Sequence, residues 1–142
     1  VVPYVRWGER VESPVINEGE ADILLAFEQL EAARYLPYLK KGGVVVTNTQ
    51  KIDPMPVITG AAAYPAALLE KIEAAGVRLT AVDALRLAEE AGSQKAVNVV
   101  LIGAMASSLD IPEESWLSAI EKTVPAKFLD MNKRAFALGY RA

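Results

Sequence analysis

The sequence predicts an α/β fold, a three-layer α/β/α arrangement with a mostly parallel sheet and a helical C-terminal segment. Continuously apolar runs at residues 23–27 and 44–47 are typical of strands that are covered on both faces. A helical pattern follows each run, and this alternation indicates right-handed crossovers in a parallel sheet. Residues 93–109 are apolar around nearly the whole helix circumference, which predicts a helix covered on every side.

The beginning of the chain predicts an edge strand. Residues 1–7 are rich in β-branched and aromatic side chains, and Pro3 favours the edge of a sheet over its centre. Arginine and aromatic residues are also enriched at protein interfaces, so an anchor for a partner is an equal alternative. The side chains concerned are Tyr4, Arg6 and Trp7. Residues 8–17 predict a turn and a short strand or loop.

Three strand–helix units follow in order. The run 23–27 leads into a predicted helix over residues 28–36, which stops near Pro37 because proline interrupts a helix. The strand 44–47 is followed by a weak pattern and then by a helix over residues 65–75.

The third unit begins with residues 77–82, which alternate like a strand. Asp83 opens a short helix through residue 91, and Gly92 ends it. In the next helix, 93–109, Ser93 is a suitable N-cap, and Asn98 and Gly103 interrupt the apolar pattern.

Asn98 and Gly103 are predicted to be packing features and not ligand contacts. A buried asparagine needs hydrogen-bond partners, so we expect the Asn98 amide to bond to a neighbouring element. Glycine in a helix is tolerable where a second backbone comes close, which we expect at Gly103.

The C-terminal segment predicts two more helices. Pro112 and the acidic residues after it suit the first turn of one, and Pro125 separates it from a helix over residues 126–138. On the last helix, Asn132 is expected to have a structural role, since it shares a face with apolar residues: Phe128, Leu129 and Phe136.

Polar residues follow each predicted strand and form a candidate rim at one edge of the sheet. They are Glu28, Gln29, Asn48, Thr49, Gln50 and Asp83. Ligands of open parallel sheets collect at the carboxyl ends of the strands, so this rim suits a small ligand or hydrogen bonds to a partner subunit. The alternative is that Asp83 only caps its helix and that Asn48 and Gln50 only turn the chain.

The composition excludes several kinds of chemistry. The 142 residues include no cysteine and no histidine. This excludes thiolate-ligated iron–sulfur clusters and Cys/His zinc sites built from this chain alone, and also cysteine nucleophiles, serine–histidine triads and histidine bases. No residue is predicted to be catalytic or to bind a metal.

Charge and hydropathy indicate what the surface meets. A hydrophobic fraction of 52% and a mean hydropathy of +0.20 predict that part of the surface contacts another protein. A net charge of -3 argues against nucleic acid. The apolar stretch 96–109 is shorter than the roughly 18 residues of a membrane span. The lack of cysteine suits a reducing cytoplasm, where we expect the protein to reside.

Three blocks of sequence carry a family resemblance. They read GEADILLAFEQLEAARYLPYLKKGGVVVTNT, then GSQKAVNVVLIGA, then WLSAI and VPAKFLDMNKRAFALG. In this order they resemble the gamma subunit or domain of 2-oxoacid:ferredoxin oxidoreductases, nearest to the indolepyruvate branch. The resemblance covers almost the whole chain and implies one gamma-type domain over residues 1–142. Family members begin with a strand and a glycine-rich GxGGQG turn, so we expect this sequence to lack that N-terminal unit.

The resemblance implies a function in a larger assembly. Enzymes of this family oxidatively decarboxylate a 2-oxoacid to an acyl-CoA and pass the electrons to ferredoxin. For this chain, the resemblance implies that the 2-oxoacid is indolepyruvate or a related aryl pyruvate. Thiamine diphosphate and the iron–sulfur clusters are expected on a larger partner subunit, and this chain is expected to bind no cofactor alone. Two alternatives remain at this point: a self-sufficient nucleotide-binding α/β enzyme with its ligand over Glu28, Asn48 and Asp83, and a non-enzymatic assembly module.

Overall fold

The computed structural model describes residues 2–142 and has a three-stranded parallel sheet in this part of the chain. The strands are β1 (Ala21–Ala26), β2 (Leu39–Asn48) and β3 (Arg78–Val82), arranged in the order β1-β2-β3. Both pairings are parallel, with Leu24 opposite Val45 and Val46 opposite Thr80. All three carboxyl ends therefore lie at one edge of the sheet.

The helices connect and cover these strands. Between the strands lie α1 (Gln29–Tyr35), the single turn α2 (Met55–Ile58) and α3 (Leu68–Ala74). After β3 come four helices: α4 (Ala84–Ala91), α5 (Val97–Ala106), α6 (Glu113–Thr123) and α7 (Leu129–Tyr140). Short 3-10 turns precede β2, α5 and α7, at Leu36–Tyr38, Gln94–Ala96 and Ala126–Phe128. Among residues 2–142, no helix is both long and apolar enough to cross a membrane.

Two hydrophobic cores lie on opposite faces of the sheet. Successive side chains of a strand point to opposite faces, so Val44 and Val46 pack with α4, α5 and α7, whereas Val45 packs with α1 and α3. Ala32 of α1 and Ile72 of α3 are buried in that second core. The predicted three-layer α/β/α fold is therefore confirmed.

The contact between α5 and α7 depends on two glycines. A Cβ atom on Gly103 would overlap the carbonyl oxygen of Phe136, and one on Gly139 would overlap the carbonyl oxygen of Val100. Both glycines are buried. The close backbone approach expected at Gly103 is thus made with α7, and Gly139 contributes the matching half of the contact.

The polar residues of the helical layer differ in their surroundings. Asn132 is buried, and its Nδ2 donates to the carbonyl oxygen of Phe128 at 2.9 Å. Asn98 is exposed, and its side chain has no hydrogen bond within the described part of the chain. The prediction that Asn98 is buried is wrong, because α4, α7 and the sheet cover only part of α5. Ile102 and Met105 are also only partly covered.

The prediction of a strand over residues 1–7 is also wrong for the residues that the structure describes. Val1 lies outside them, and residues 2–7 form no strand. The Arg6 guanidinium instead donates to the carbonyl oxygens of Ser13 and Val15, at 3.1 and 2.9 Å. A side chain thus orders this segment in place of a backbone ladder, and residues 8–17 follow the loop alternative.

The element boundaries shift in places where the sequence signal is weak. The second strand begins at Leu39, five residues before the predicted 44–47 run, and its added residues Lys40 and Lys41 are exposed. The helix predicted over residues 65–75 begins only at Leu68, since Ala67 adopts a left-handed backbone conformation with φ of 55°. The turn α2 lies in the segment whose pattern the sequence left weak.

Candidate functional site

The carboxyl edge of the sheet brings five of the six predicted rim residues together. Glu28 and Gln29 follow β1, and Asn48 ends β2 with Thr49 and Gln50 after it. The backbone N–H of Gln29 donates to the carbonyl oxygen of Gln50 at 3.1 Å, which joins the two chain segments directly. The sixth residue, Asp83, lies apart from this network.

Glu28 is the most connected residue of the rim and is only 5% exposed. It is the N-cap of α1, where its Oε1 accepts from the backbone N–H of Glu31 at 2.8 Å. Its Oε2 accepts from the backbone N–H of Ile52 at 3.1 Å and from the Tyr64 hydroxyl at 2.5 Å. Three donors therefore compensate the burial of this carboxylate.

Tyr64 joins the long connection between β2 and α3 to this carboxylate. Its hydroxyl donates to Glu28 and also accepts from the backbone N–H of Leu30 at 3.1 Å. Burial, and then the hydrogen bond and negative charge of Glu28, raise the pKa of Tyr64 to about 12. The phenol thus stays protonated as a donor to Glu28 at neutral pH.

Gln29 and Asn48 bind the other parts of the rim. The Nε2 of Gln29 donates to the carbonyl oxygen of Thr49 at 2.5 Å. The Oδ1 of Asn48, a residue 1% exposed, accepts from the backbone N–H of Ala84 at 3.2 Å, and its Nδ2 donates to Gln50 Oε1 at 3.3 Å. Asn48 therefore links the end of β2 to the first turn of α4.

Asp83 has a local role in the structure. It is exposed and is the N-cap of α4, with its Oδ1 accepting from the backbone N–H of Arg86 at 3.2 Å. The Arg86 guanidinium lies 3.9 Å from the same carboxylate. The capping alternative from the sequence thus describes its contacts.

The sequence interpretation missed two participants, Tyr64 and the backbone N–H of Ile52. A signal for Tyr64 existed: it is a lone aromatic residue within alanine, glycine and proline at residues 60–67. Its partner is 36 positions away, and no local periodicity indicates such a contact. A backbone N–H carries no signal in the sequence at all.

This edge presents several large apolar side chains outward. Ile52, Met55 and Ile58 are 55%, 69% and 67% exposed, and Phe27 next to Glu28 is also exposed. A loop on the surface usually turns its polar groups to water. Here some polar groups bond inward to Glu28, Gln29 and Asn48, and large apolar side chains face outward beside exposed polar ones.

The side chains of this chain do not supply ligands for the cofactors that the resemblance assigns to a partner subunit. The 142 residues include no cysteine for an iron–sulfur cluster. Among residues 2–142, no three acidic side chains come together as a metal site for a diphosphate. The buried rim carboxylate, Glu28, already accepts three hydrogen bonds. The hydrogen bonds of Glu28 attach the loop after β2 to the edge of the sheet.

Comparison with known proteins shows which family and which relatives the chain is similar to. A family model described as pyruvate ferredoxin/flavodoxin oxidoreductase matches residues 1–142. The chain is 46% identical over 147 aligned residues to a Thermococcus kodakarensis protein named indolepyruvate oxidoreductase subunit IorB. It is 44% identical to a protein of the same name from Pyrococcus horikoshii. The alignments include 100% of this chain and 73% of each relative.

Solved structures show the same fold. The gamma subunit of keto/oxoacid ferredoxin oxidoreductase from Geobacter sulfurreducens aligns with a TM-score of 0.63 and 25% identity over 89% of this chain. Pyruvate oxidoreductase subunit PORC from Thermotoga maritima aligns with a TM-score of 0.61 and 20% identity over 92% of it. The chain spans 66% of each of these solved chains.

Proposed function

We propose, from the premise that the chain belongs to the pyruvate ferredoxin/flavodoxin oxidoreductase family, that it is the non-cofactor subunit of a 2-oxoacid:ferredoxin oxidoreductase. The family resemblance seen in the sequence is confirmed by the match over residues 1–142. The complex would oxidatively decarboxylate its 2-oxoacid to an acyl-CoA and pass the electrons to ferredoxin.

One observation carries the choice of substrate class. The chain is 46% identical along its whole length to a protein named indolepyruvate oxidoreductase subunit IorB. We therefore propose indolepyruvate or a related aryl pyruvate as the substrate of the complex. The other curated relative reported above has the same name.

The geometry of the chain supports a role as a subunit. The buried rim carboxylate that a self-contained active site would need already has partners, since Glu28 accepts from the backbone N–H of Ile52 and from the Tyr64 hydroxyl. The adjacent surface presents Phe27, Met55 and Ile58, and apolar residues of this size are typical of protein interfaces. In this proposal, the chain forms one gamma-type domain that completes the assembly.

Thiamine diphosphate and the iron–sulfur clusters belong, in this proposal, to a larger partner subunit. The composition of this chain supports this assignment of the cofactors, since it has no cysteine to bind a cluster. Its buried rim carboxylate, Glu28, already accepts hydrogen bonds. Ferredoxin would accept its electrons from the assembled complex. We propose that this complex resides in the cytoplasm. The chain has no cysteine and so forms no disulfide, which suits a reducing compartment.

Purification under anaerobic conditions tests this function. The full-length protein is tagged in its own cells, and the copurifying proteins are identified by mass spectrometry while iron and thiamine are assayed. We expect a larger subunit that contains both, together with ferredoxin reduction that depends on indolepyruvate and coenzyme A. A stable complex without iron or thiamine would overturn the proposal in favour of an assembly module.

A ligand screen distinguishes the remaining alternative. A nucleotide-binding enzyme would gain stability from its ligand by mass action, so its melting temperature would rise with ligand concentration. We expect no rise with adenine or guanine nucleotides when the full-length protein is purified without its partner. A rise that is lost on Asn48→Ala would favour a nucleotide site at the rim.

A further inference from the structure

The connection between β2 and α3 is attached to the rest of the molecule in an unusual way. We call residues 51–66 the strap. Its backbone bonds internally around α2, for example from the N–H of Ile58 to the carbonyl oxygen of Pro54 at 3.0 Å and from Ala62 to Pro56 at 2.9 Å. The strap thus has its own local structure.

Three hydrogen bonds join the strap to the remainder of the described chain. The backbone N–H of Ile52 and the hydroxyl of Tyr64 both donate to Oε2 of Glu28, and the backbone N–H of Leu30 donates to the Tyr64 hydroxyl. Both ends of the strap therefore meet at one carboxylate oxygen. Each of the three bonds involves Glu28 or Tyr64.

Packing adds little to these three bonds. No residue of the strap is buried, and only Pro54, Val57 and Tyr64 are partly covered. Neither hydrophobic core includes a strap residue. A segment with few buried apolar contacts opens at a low free-energy cost compared with the core.

Two features at the ends of the strap favour movement as one unit. The Nζ of Lys51 lies 5.8 Å from the centre of the Tyr64 ring, a cation–π contact that joins the first residue of the strap to a residue near its end. Ala67 follows the strap directly in a left-handed conformation with φ of 55°, which is strained for alanine. Strained residues of this kind cluster at functional sites, including switch regions.

From this arrangement we propose that the strap opens and closes as one unit over the carboxyl edge of the sheet, with the Tyr64–Glu28 hydrogen bond as its latch. Opening uncovers the carboxylate of Glu28 and displaces Ile52, Met55 and Ile58 together. In this role Glu28 and Tyr64 are positioning residues. The proposal does not depend on the substrate proposed for the complex, because it rests on hydrogen bonds within this chain.

Hydrogen exchange measured by mass spectrometry on the full-length protein, purified with its copurifying subunits, tests the latch. Tyr64→Phe removes the hydroxyl that serves as donor and acceptor. We expect peptides within residues 51–63 to exchange about five- to tenfold faster, as the loss of a hydrogen bond predicts, while peptides of β2 keep their rates. Tyr35→Phe is the control, because it removes a hydroxyl from α1 without altering a contact to Glu28.

Glu28→Gln and trypsin cleavage provide a second test. The glutamine keeps only one acceptor oxygen, so we expect faster exchange than in Tyr64→Phe, together with faster cleavage after Lys51 and unchanged cleavage after Lys71 of α3. Unchanged exchange of the strap in Tyr64→Phe would overturn the proposal. An increase that extends into β2 would also overturn it, since Tyr64 would then support the whole fold.

Discussion

The α5–α7 contact and the carboxyl edge of the sheet are held together by opposite means. Between the helices, Gly103 and Gly139 let the two backbones approach until no Cβ atom would fit. At the edge, polar side chains of Glu28, Gln29 and Asn48 accept or donate hydrogen bonds across gaps between separate segments. Steric contacts of the first kind tolerate little displacement, whereas hydrogen bonds of the second kind can open locally.

The largest effect is expected on the steric side of this comparison. Gly139→Ala places a methyl group against the carbonyl oxygen of Val100, so α5 and α7 must separate. We expect a loss of about 3 kcal/mol or more in the free energy of unfolding. Urea unfolding measures it.

Gly19→Ala is the matched control for that substitution. Gly19 has a φ of +80° but no atom within 4 Å of an added Cβ, so the change costs only backbone strain. We expect a loss of about 1 kcal/mol. A loss at Gly139 no larger than the loss at Gly19 would show that the close approach of α5 and α7 does not limit stability.

Asn48→Ala tests the polar side at its most buried point. The backbone N–H of Ala84, a residue with no exposed surface, would lose its acceptor. We expect a loss of about 2 kcal/mol in the free energy of unfolding, the cost of an unsatisfied buried donor. The exposed Gln50→Ala removes only the bond to the Asn48 side chain and should cost about 0.5 kcal/mol. A neutral Asn48→Ala variant would contradict this role.

Alkaline unfolding probes the bond between Tyr64 and Glu28. The pKa of Tyr64 is raised from 10.0 to about 12 in the folded chain, so the folded state binds this proton more tightly than the unfolded state. The resulting stabilisation is complete below pH 10 and is lost as the pH rises from about 10 to about 12. Its size is at most about 2 kcal/mol, since the group is partly exposed.

The difference between the native chain and Tyr64→Phe isolates this contribution. Both chains contain the same other tyrosines and lysines, so those titrations cancel in the difference between their unfolding free energies. We expect this difference to decrease above pH 10. A difference that stays constant up to pH 12 would exclude the raised pKa.

The smallest effect is expected at Asn98. It lies on the open side of α5 and has no hydrogen bond within residues 2–142, so Asn98→Leu removes no bond there. We expect a change within about 0.5 kcal/mol, as for most surface substitutions. A loss of copurifying subunits in this variant, without a loss of stability, would show that the open side of α5 is an interface.

Much of the architecture could be predicted because its signals are local. The 44–47 run predicted β2, and the predicted capping residues Asp83 and Ser93 stand at the beginnings of their helix or helical turn. Glu28 was also placed at the right edge of the sheet. Its contacts with Tyr64 and with the backbone of Ile52 could not be predicted, since they join residues 36 and 24 positions apart.

The N-terminal segment is a case in which a local signal was present but the predicted element did not form. Residues 2–7 have the composition of a strand, yet they form none, because a strand requires a neighbouring backbone with which to pair. The Arg6 guanidinium instead donates to the carbonyl oxygens of Ser13 and Val15, in the loop that follows. Strand propensity alone therefore did not decide its structure.

The sequence by itself determined the α/β class, the order of the three strand–helix units, the family resemblance and the lack of cysteine and histidine side chains. These properties follow from periodicity, capping residues and composition, which are present in the chain before it folds. The tertiary structure decided which side of α5 stays open at Asn98 and which residues meet at Glu28. Burial and long-range hydrogen bonds depend on the elements that pack nearby, and no local stretch of sequence contains that information.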